Sequence, residues 1–344
     1  MIESSGLRRI LVALLGVLLG LAYGTFARFV FDRAPGSGPQ TDAHAALVTA
    51  FAGMSICFLF LVPAGLGALT ALFSPRTSRW RWLYWLLLPL VPCLLLLGVV
   101  LALAWEGMIC IALASPIFLF MAVLGGGVTG FVLWLTERER LNRQAPLGTV
   151  LSALVLPFLL APVEARVPPP DALREVTTAT AIEASPETVW RQIVRVPTIA
   201  DAEQPWSFFH EIGVPRPLEA SLSHEGVGGL RRARFEGGIT FEETVTEWDP
   251  GRGFAFHIRV NPESIGPDVL DRHVKVGGEY FDVVRGRFRI EPAGRGVVLH
   301  LSSRHRLSTR LNPYAGLWTD AIMRDIQRTV CGVVKRRSEA ADLR

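Results

Sequence analysis

Lysine is almost missing from this chain: of 35 basic residues, only Lys275 and Lys335 are not arginine. Cysteine is nearly as scarce. Cys57, Cys93 and Cys110 lie in apolar runs, and Cys331 is the one thiol after residue 164. A single thiol excludes an intradomain disulfide there, and no CxxC or Cys/His spacing offers a zinc site. A phosphate loop is missing too, because Gly277-Gly278 and Gly294-x-Gly296 do not open a helix after a strand. Nothing resembles a nucleophile motif. Finally, the long apolar runs carry almost no charge away from their ends. Transport paths need ionisable groups at mid-membrane, so this pattern points to anchoring or lipid contact instead.

What is present is divided in two. The mean hydropathy is +0.35 and the net charge +4, and both come from the first half of the 344 residues. Before residue 164 there are 10 Arg against 6 Asp and Glu; from Glu164 onward 25 basic residues face 25 acidic ones. The basic isoelectric point therefore reads as membrane topology, with no nucleic-acid partner. Five apolar runs, roughly 10–31, 45–73, 82–104, 107–135 and 147–163, are candidates for the ~20 residues a bilayer crossing needs. The fifth is the shortest and contains Pro157, tolerable if neighbours satisfy the freed carbonyl. Arginine fills alternate connections: Arg8 and Arg9, then Arg76, Arg79 and Arg81, then Arg138, Arg140 and Arg143. Positive-inside orientation places the N-terminus in the cytoplasm of a multi-pass inner-membrane protein. Five spans put the polar half outside; if the fifth run only lies on the membrane, that half stays in the cytoplasm. Residues 1–27 resemble a signal peptide, but four further apolar runs favour an uncleaved span. Gly16, Gly20 and Gly24, and again Gly126 and Gly130, recur at the spacing that lets helix backbones approach, for intramolecular packing or for self-association.

Val167-Pro168-Pro169-Pro170 makes a stiff spacer. Strand-like Glu175–Ile182 then leads into Ser185-Pro186-Glu187, a helix start with a capping serine and proline at the first helical position. A short segment, Thr198–Ile212, carries Trp206, Phe208 and Phe209. Strands are expected at about 217–225, 229–236, 239–248, 253–260, 276–290 and 297–309, with Gly237-Gly238 and Asp249-Pro250-Gly251 as turns. A final helix runs from Pro313 to about Arg337, its apolar face made by Ile322, Ile326, Val330 and Val333.

This order resembles the START-like helix-grip superfamily, also called SRPBCC, which includes polyketide cyclases and dehydrases and lipid-transfer proteins. The similar residues are Thr178–Ala184 running into Ser185-Pro186-Glu187-Thr188-Val189-Trp190, and Val245-Thr246-Glu247-Trp248-Asp249-Pro250 followed by Phe254-Ala255-Phe256. The resemblance implies an α+β helix-grip domain, a curved antiparallel sheet around a long C-terminal helix, over 174–338. A linker at 164–173 joins it to an α-helical transmembrane bundle at 1–163. It also implies a cavity between sheet and helix. Alternation along the strands puts Phe235, Phe241, Glu243, Val245, Phe254, Phe256, Ile258, Tyr280, Asp282, Phe288, Leu301, Ser303 and His305 on the inner face. Trp318 and Ile322 would close it from the helix. The aromatic and aliphatic members either line a cavity or are plain core. Glu243, Tyr280, Asp282 and His305 either form a polar end of the cavity or pair with neighbouring arginines. The favoured expectation is a membrane-tethered domain that binds a lipid or other apolar small molecule without chemistry or cofactor. The alternatives are a cyclase or dehydratase using Glu243, Asp282 or His305, and a protein-interaction module with a filled cavity and a partner in the membrane. Arg304, Arg306 and Arg310 read as a solvated strand face or as contacts to lipid phosphates. Asn261–Arg272 reads as a long loop, either a lid or plain surface.

Overall fold

The computed structural model describes residues 2–31, 55–74, 81–139, 145–260 and 276–343, which divide into two compact units that meet in sequence near Pro168. The first is helical: α1 (Ile2–Phe31), α2 (Val62–Leu72, preceded by a π-helical turn Cys57–Leu61), α3 (Arg81–Leu87), α4 (Leu90–Ala102), α5 (Met108–Glu139) and α6 (Ala145–Glu164). Four stretches, Gly6–Phe31, Arg81–Ala102, Met108–Arg138 and Pro146–Glu164, are long and apolar enough to cross a membrane; Cys57–Leu72 is a shorter apolar helix. The expected run 45–73 falls partly outside the described residues, as do Arg76, Arg79, Arg140 and Arg143.

Glycines set how these helices meet. Gly16 faces Thr70 and Phe73, Gly20 faces Thr70 and Pro92, and Gly24 faces Leu96 and Leu66. The repeat in α1 is therefore occupied by the chain's own helices. A Cβ on Gly67 would sit 1.9 Å from the Ala122 carbonyl oxygen, and one on Gly125 equally close to that of Ala64. Contacts also fix direction. Tyr23 donates to the Leu154 carbonyl and Phe31 meets Phe158, so α6 runs parallel to α1. Phe31 also meets Phe58 while Gly16 faces Phe73, so α2 runs antiparallel. At one end of the bundle Arg81 pairs with Glu137 at 2.6 Å, on the side of Arg8 and Arg9. At the other end Arg28 binds Glu106 at 2.6 Å, and the Glu164 carboxylate accepts the backbone amides of Ile56 and Cys57 at 2.6 and 3.0 Å. The second helix thus has its bare first-turn donors satisfied by a residue of the last one. Pro157 sits inside a continuous α6; the Ala153 carbonyl that it frees lies against Gly65.

The second unit is one seven-stranded antiparallel sheet with helices on its inner side. Its strands are β1 (Asp171–Ile182), β2 (Pro217–Leu222), β3 (Leu230–Phe235), β4 (Thr240–Asp249), β5 (Gly253–Val260), β6 (Phe281–Ala293) and β7 (Gly296–Ser308). They lie in the order β1-β7-β6-β5-β4-β3-β2. The sheet curls into a half-barrel around α7 (Pro186–Val194), the short α8 (Phe208–Glu211) and the 31-residue α9 (Asn312–Asp342). Every expected strand and the final helix are present; β1 starts at Asp171, ahead of the expected Glu175. Ser185 caps α7 by accepting the Thr188 amide. Asp342, at the far end of the chain, accepts both the Ser185 amide and the Thr188 hydroxyl.

The core lies between the sheet and the helices. Phe254, Phe256, Phe288, Leu299 and Leu301 from the sheet meet Val189 and Ile193 of α7 and Cys331 and Val334 of α9. Trp190 packs edge-on against Trp248 and Phe254 at 4.9 and 5.9 Å. Phe256 lies over Gly286, where a Cβ would come within 2.4 Å of the ring; glycine there makes room for the aromatic. The buried residues of α9 are Gly316, Met323, Gln327, Thr329, Cys331, Val333, Val334 and Ser338. Of the expected face, Val333 is buried and Val330 packs against the core, whereas in the first half of the helix the covered row is Gly316, Met323 and Gln327, because the expectation chose the most apolar stripe. Trp318, Ile322 and Ile326 flank the buried row and are only half-buried.

Candidate functional site

The inner face of the sheet has two parts. At one end Val245, Phe254, Phe256, Phe288 and Leu301 are buried in the core just described. Toward the C-terminal end of β5, Phe235, Phe241 and Ile258 are half-buried. Phe235 and Phe241 pack edge-on at 4.9 Å beside Val333 of α9. Ile258 joins a small cluster with Val176, Val283 and Met323.

Two polar groups are enclosed in this apolar surface. Glu243 of β4 lies directly across from Arg231 of β3 and accepts its guanidinium; both are buried, at 6% and 4% exposure. The guanidinium also lies 5.7 and 5.8 Å from the ring centres of Phe256 and Phe288. Burial raises the Glu243 carboxyl above the usual range, and Arg231 offsets part of that rise. This is the arginine pairing that the sequence left open for Glu243; which arginine was not named, because β3 reads Leu-Arg-Arg-Ala-Arg-Phe and offers three.

The second group surrounds His305 of β7, which is fully buried. Its Nε2 lies 3.2 Å from Thr319 Oγ1 and 3.6 Å from an Asp320 oxygen. Arg174 of β1 grips Asp320 with two hydrogen bonds of 2.9 and 2.7 Å, which holds that carboxyl below its ordinary range. Burial pushes the His305 imidazole down, opposed by Asp320 and reinforced by Arg174. Two residues earlier on the same face, Ser303 accepts from Gln327, which also donates to the Val176 carbonyl and accepts from Thr178. Gln327, Thr319 and Asp320 escaped the sequence reading because α9 presents them beside larger apolar neighbours, and Arg174 because it lies ahead of the expected start of β1 at Glu175.

Tyr280 and Asp282 take a different place from the alternation rule. A β-bulge between Val283 and Arg285 shifts the register of β6. Val283 is buried against Val176 and Met323, and Val284 is half-buried. Asp282 pairs with Arg306 across the strands, its carboxyl raised by burial and drawn back by that arginine. Tyr280 is half-buried just before β6. Arg304 binds Glu175 and Arg306 binds the carbonyls of Gly278 and Glu279. The expected loop Asn261–Arg272 lies outside the described residues. Among the described residues no group of three His, Cys, Asp or Glu could hold a metal ion.

No protein-family model matches the chain, and no curated protein matches it. Solved structures do. DynU16, a protein of the dynemicin biosynthetic locus, is 17% identical over 49% of this chain and 48% of its own, with a TM-score of 0.31. This chain thus spans about half the length of DynU16. Truncated norcoclaurine synthase from Thalictrum flavum is 12% identical over 48% and 93%, with a TM-score of 0.30. Ara h 8.0201 is 12% identical over 50% and 99%, with a TM-score of 0.31. Likenesses this low carry no functional argument, and the fold is read from strand order and helix placement.

Proposed function

We propose that the second unit binds a lipid or another apolar small molecule, without chemistry, and that the helical unit tethers it to a membrane. One observation carries this reading. The first half of the long helix leaves Trp318, Ile322 and Ile326 half-covered, as Phe235, Phe241 and Ile258 are on the sheet. Apolar surface left uncovered inside a curled sheet favours an apolar occupant. The filled end, with Phe254, Phe256 and Phe288, would then be the floor of the site. Membership of the START-like superfamily stays part of this proposal. Each residue of the enzyme alternative has another partner: Arg231 for Glu243, Thr319 for His305, and Arg306, across from it on β7, for Asp282.

The test uses the full-length protein in detergent and a photoreactive alkyl diazirine. Crosslinks on peptides containing Phe241, Ile258 or Ile322 support the site. Labelling confined to residues 2–164 would sink it.

We also propose five membrane crossings, with the N-terminus cytoplasmic and the second unit outside. The parallel course of α1 and α6, and the gathering of Arg8, Arg9, Arg81 and Arg138 at one end of the bundle, support it. A cysteine at exposed Asp201, on a cysteine-free background, should react with impermeant maleimide in intact cells; protection until lysis would reverse the assignment.

A further inference from the structure

Three exposed apolar side chains of the second unit lie along one side of α9: Trp206 is 76% exposed, Phe208 47% and Leu317 68%. Ser207 pins the first two there by donating to Asp325 Oδ2 at 2.5 Å. Positions 314, 318, 321 and 325 share a helix face. The patch therefore continues from Trp206 and Phe208 to Tyr314 and Trp318, which pack edge-on at 6.4 Å, with Leu317 one turn on from Tyr314. It covers about 16 Å of helix. Single exposed apolar residues need no explanation, but a contiguous set marks a contact surface. Its charge is one-sided. Arg324 and Arg328 are exposed on the same length of helix, whereas the neighbouring carboxylates are occupied, Asp320 by Arg174 and Asp325 by Ser207. Tryptophan, tyrosine and arginine together suit a bilayer boundary, where rings meet the acyl region and guanidinium meets phosphate.

The chain itself argues for that occupant. α6 ends at Glu164 and β1 begins at Asp171, so residues 165–170 span at most about 20 Å. Asn312, the first residue of α9, donates from Nδ2 to the Pro170 carbonyl at 2.6 Å. The Tyr314 end of the patch is thus fastened to the end of the tether. A surface held this near a bilayer gives up little freedom by settling on it.

We propose that this patch docks the second unit onto the lipid surface, with Trp206, Phe208 and Leu317 entering the interface and Arg324 and Arg328 meeting lipid phosphates. The proposal rests on the tether reading above and is independent of what the apolar site binds. A docked population about ten-fold above the undocked one is expected.

The experiment places one nitroxide at a time on the full-length, cysteine-free protein, in nanodiscs of phosphatidylglycerol and phosphatidylethanolamine that hold one copy. Trp206→Cys and Leu317→Cys report on the patch. Val227→Cys, exposed between β2 and β3, is an apolar position off the patch, and Phe120→Cys of α5 is the lipid reference. Collision with oxygen relative to a nickel chelate distinguishes lipid from water. Labels at 206 and 317 should match the one at 120, and the one at 227 should read water. Trp206→Ser with Phe208→Ser should lower the docked population about ten-fold and return the label at 317 to water. Water at 206 and 317, with lipid at 120, would overturn the docking and leave the tether standing. Water at 120 would remove the tether reading itself. An apolar signal at 206 that appears only when several copies share a vesicle would assign the patch to a second copy and overturn the lipid assignment. Should the cysteine-free chain not fold, hydroxyl-radical oxidation of wild type in the same nanodiscs decides. Trp206 oxidised about ten-fold more slowly than in the denatured chain supports docking, and a rate close to the denatured one overturns it.

Discussion

Helices of the first unit meet backbone to backbone, at Gly67 against Ala122 and Gly125 against Ala64. Elements of the second unit meet through large side chains and enclosed polar pairs, such as Trp190 on Phe254 and Arg231 on Glu243. The difference is the one that the proposed surroundings, lipid for the first unit and water for the second, would require. In lipid, leucine gains nothing by leaving its surroundings, so close approach and dispersion must hold helices together. In water, burial of apolar area drives assembly, and polar groups enter the interior only if they are partnered. The same residue type consequently has different jobs. Glycine in the bundle is a contact surface, whereas Gly286 in the sheet is room for one aromatic ring.

Substitutions at six positions would sharpen or break this contrast. The largest effect is expected from Gly67→Val, because its Cβ meets a backbone oxygen that cannot move aside. The bundle should fail to form, read as loss of a protease-resistant core in detergent. Gly98→Val, with open space around it, should leave that core intact. Next comes the buried pair. Glu243→Leu should cost about 3–5 kcal/mol by stranding a guanidinium, while Arg231→Met with Glu243→Leu should recover most of it. Chemical denaturation of the full chain checks both, and a double variant as damaged as the single would show that the pair does more than satisfy itself. A smaller loss, about 1–3 kcal/mol, is expected for Gly286→Ala through displacement of Phe256, seen as a lower melting temperature with α1–α6 unaffected.

The smallest effect concerns pH. Arg337 and the Ala200 amide bind Glu203 and lower its carboxyl from 4.5 to about 2. A lowered folded-state value contributes stability that is complete above the unfolded value and fades as pH falls through the folded one. Wild type should therefore melt higher than Glu203→Gln at pH 6, and the gap should close between about pH 4.5 and 2. A gap that stays constant would show that the carboxylate charge is not what Arg337 reads.

Much of the second unit was legible in the sequence. Period-two alternation found all seven strands, and Ser185-Pro186-Glu187 marked the start of α7 because capping chemistry is local. Two things were not. The bulge at Val283–Arg285 inserts a residue with no local signature, so the parity carried from Phe288 back to Asp282 named the wrong neighbours for Asp282. The buried row of α9 contains Gly316 and Gln327, since partners on β1 and β7 decide which stripe is covered, and composition cannot. In the first unit the arginines and apolar runs located the helices, and Gly16, Gly20 and Gly24 marked a packing face. What those glycines pack against depends on residues up to 72 positions away and was open. The polar cluster around His305 was half visible: parity found the histidine and Ser303, but not the α9 groups beside it.

The carboxylate of Glu164 has a consequence for how the chain is made. It completes the start of the second helix from 108 residues downstream. At about 5–20 residues per second, those amides wait roughly 5–20 seconds for their partner to be synthesised. On the proposed topology the short apolar helix enters the membrane with its first turn bare and is finished only when the last helix arrives. Ribosome stalling placed before residue 164 should leave it the most protease-sensitive helix of the nascent bundle.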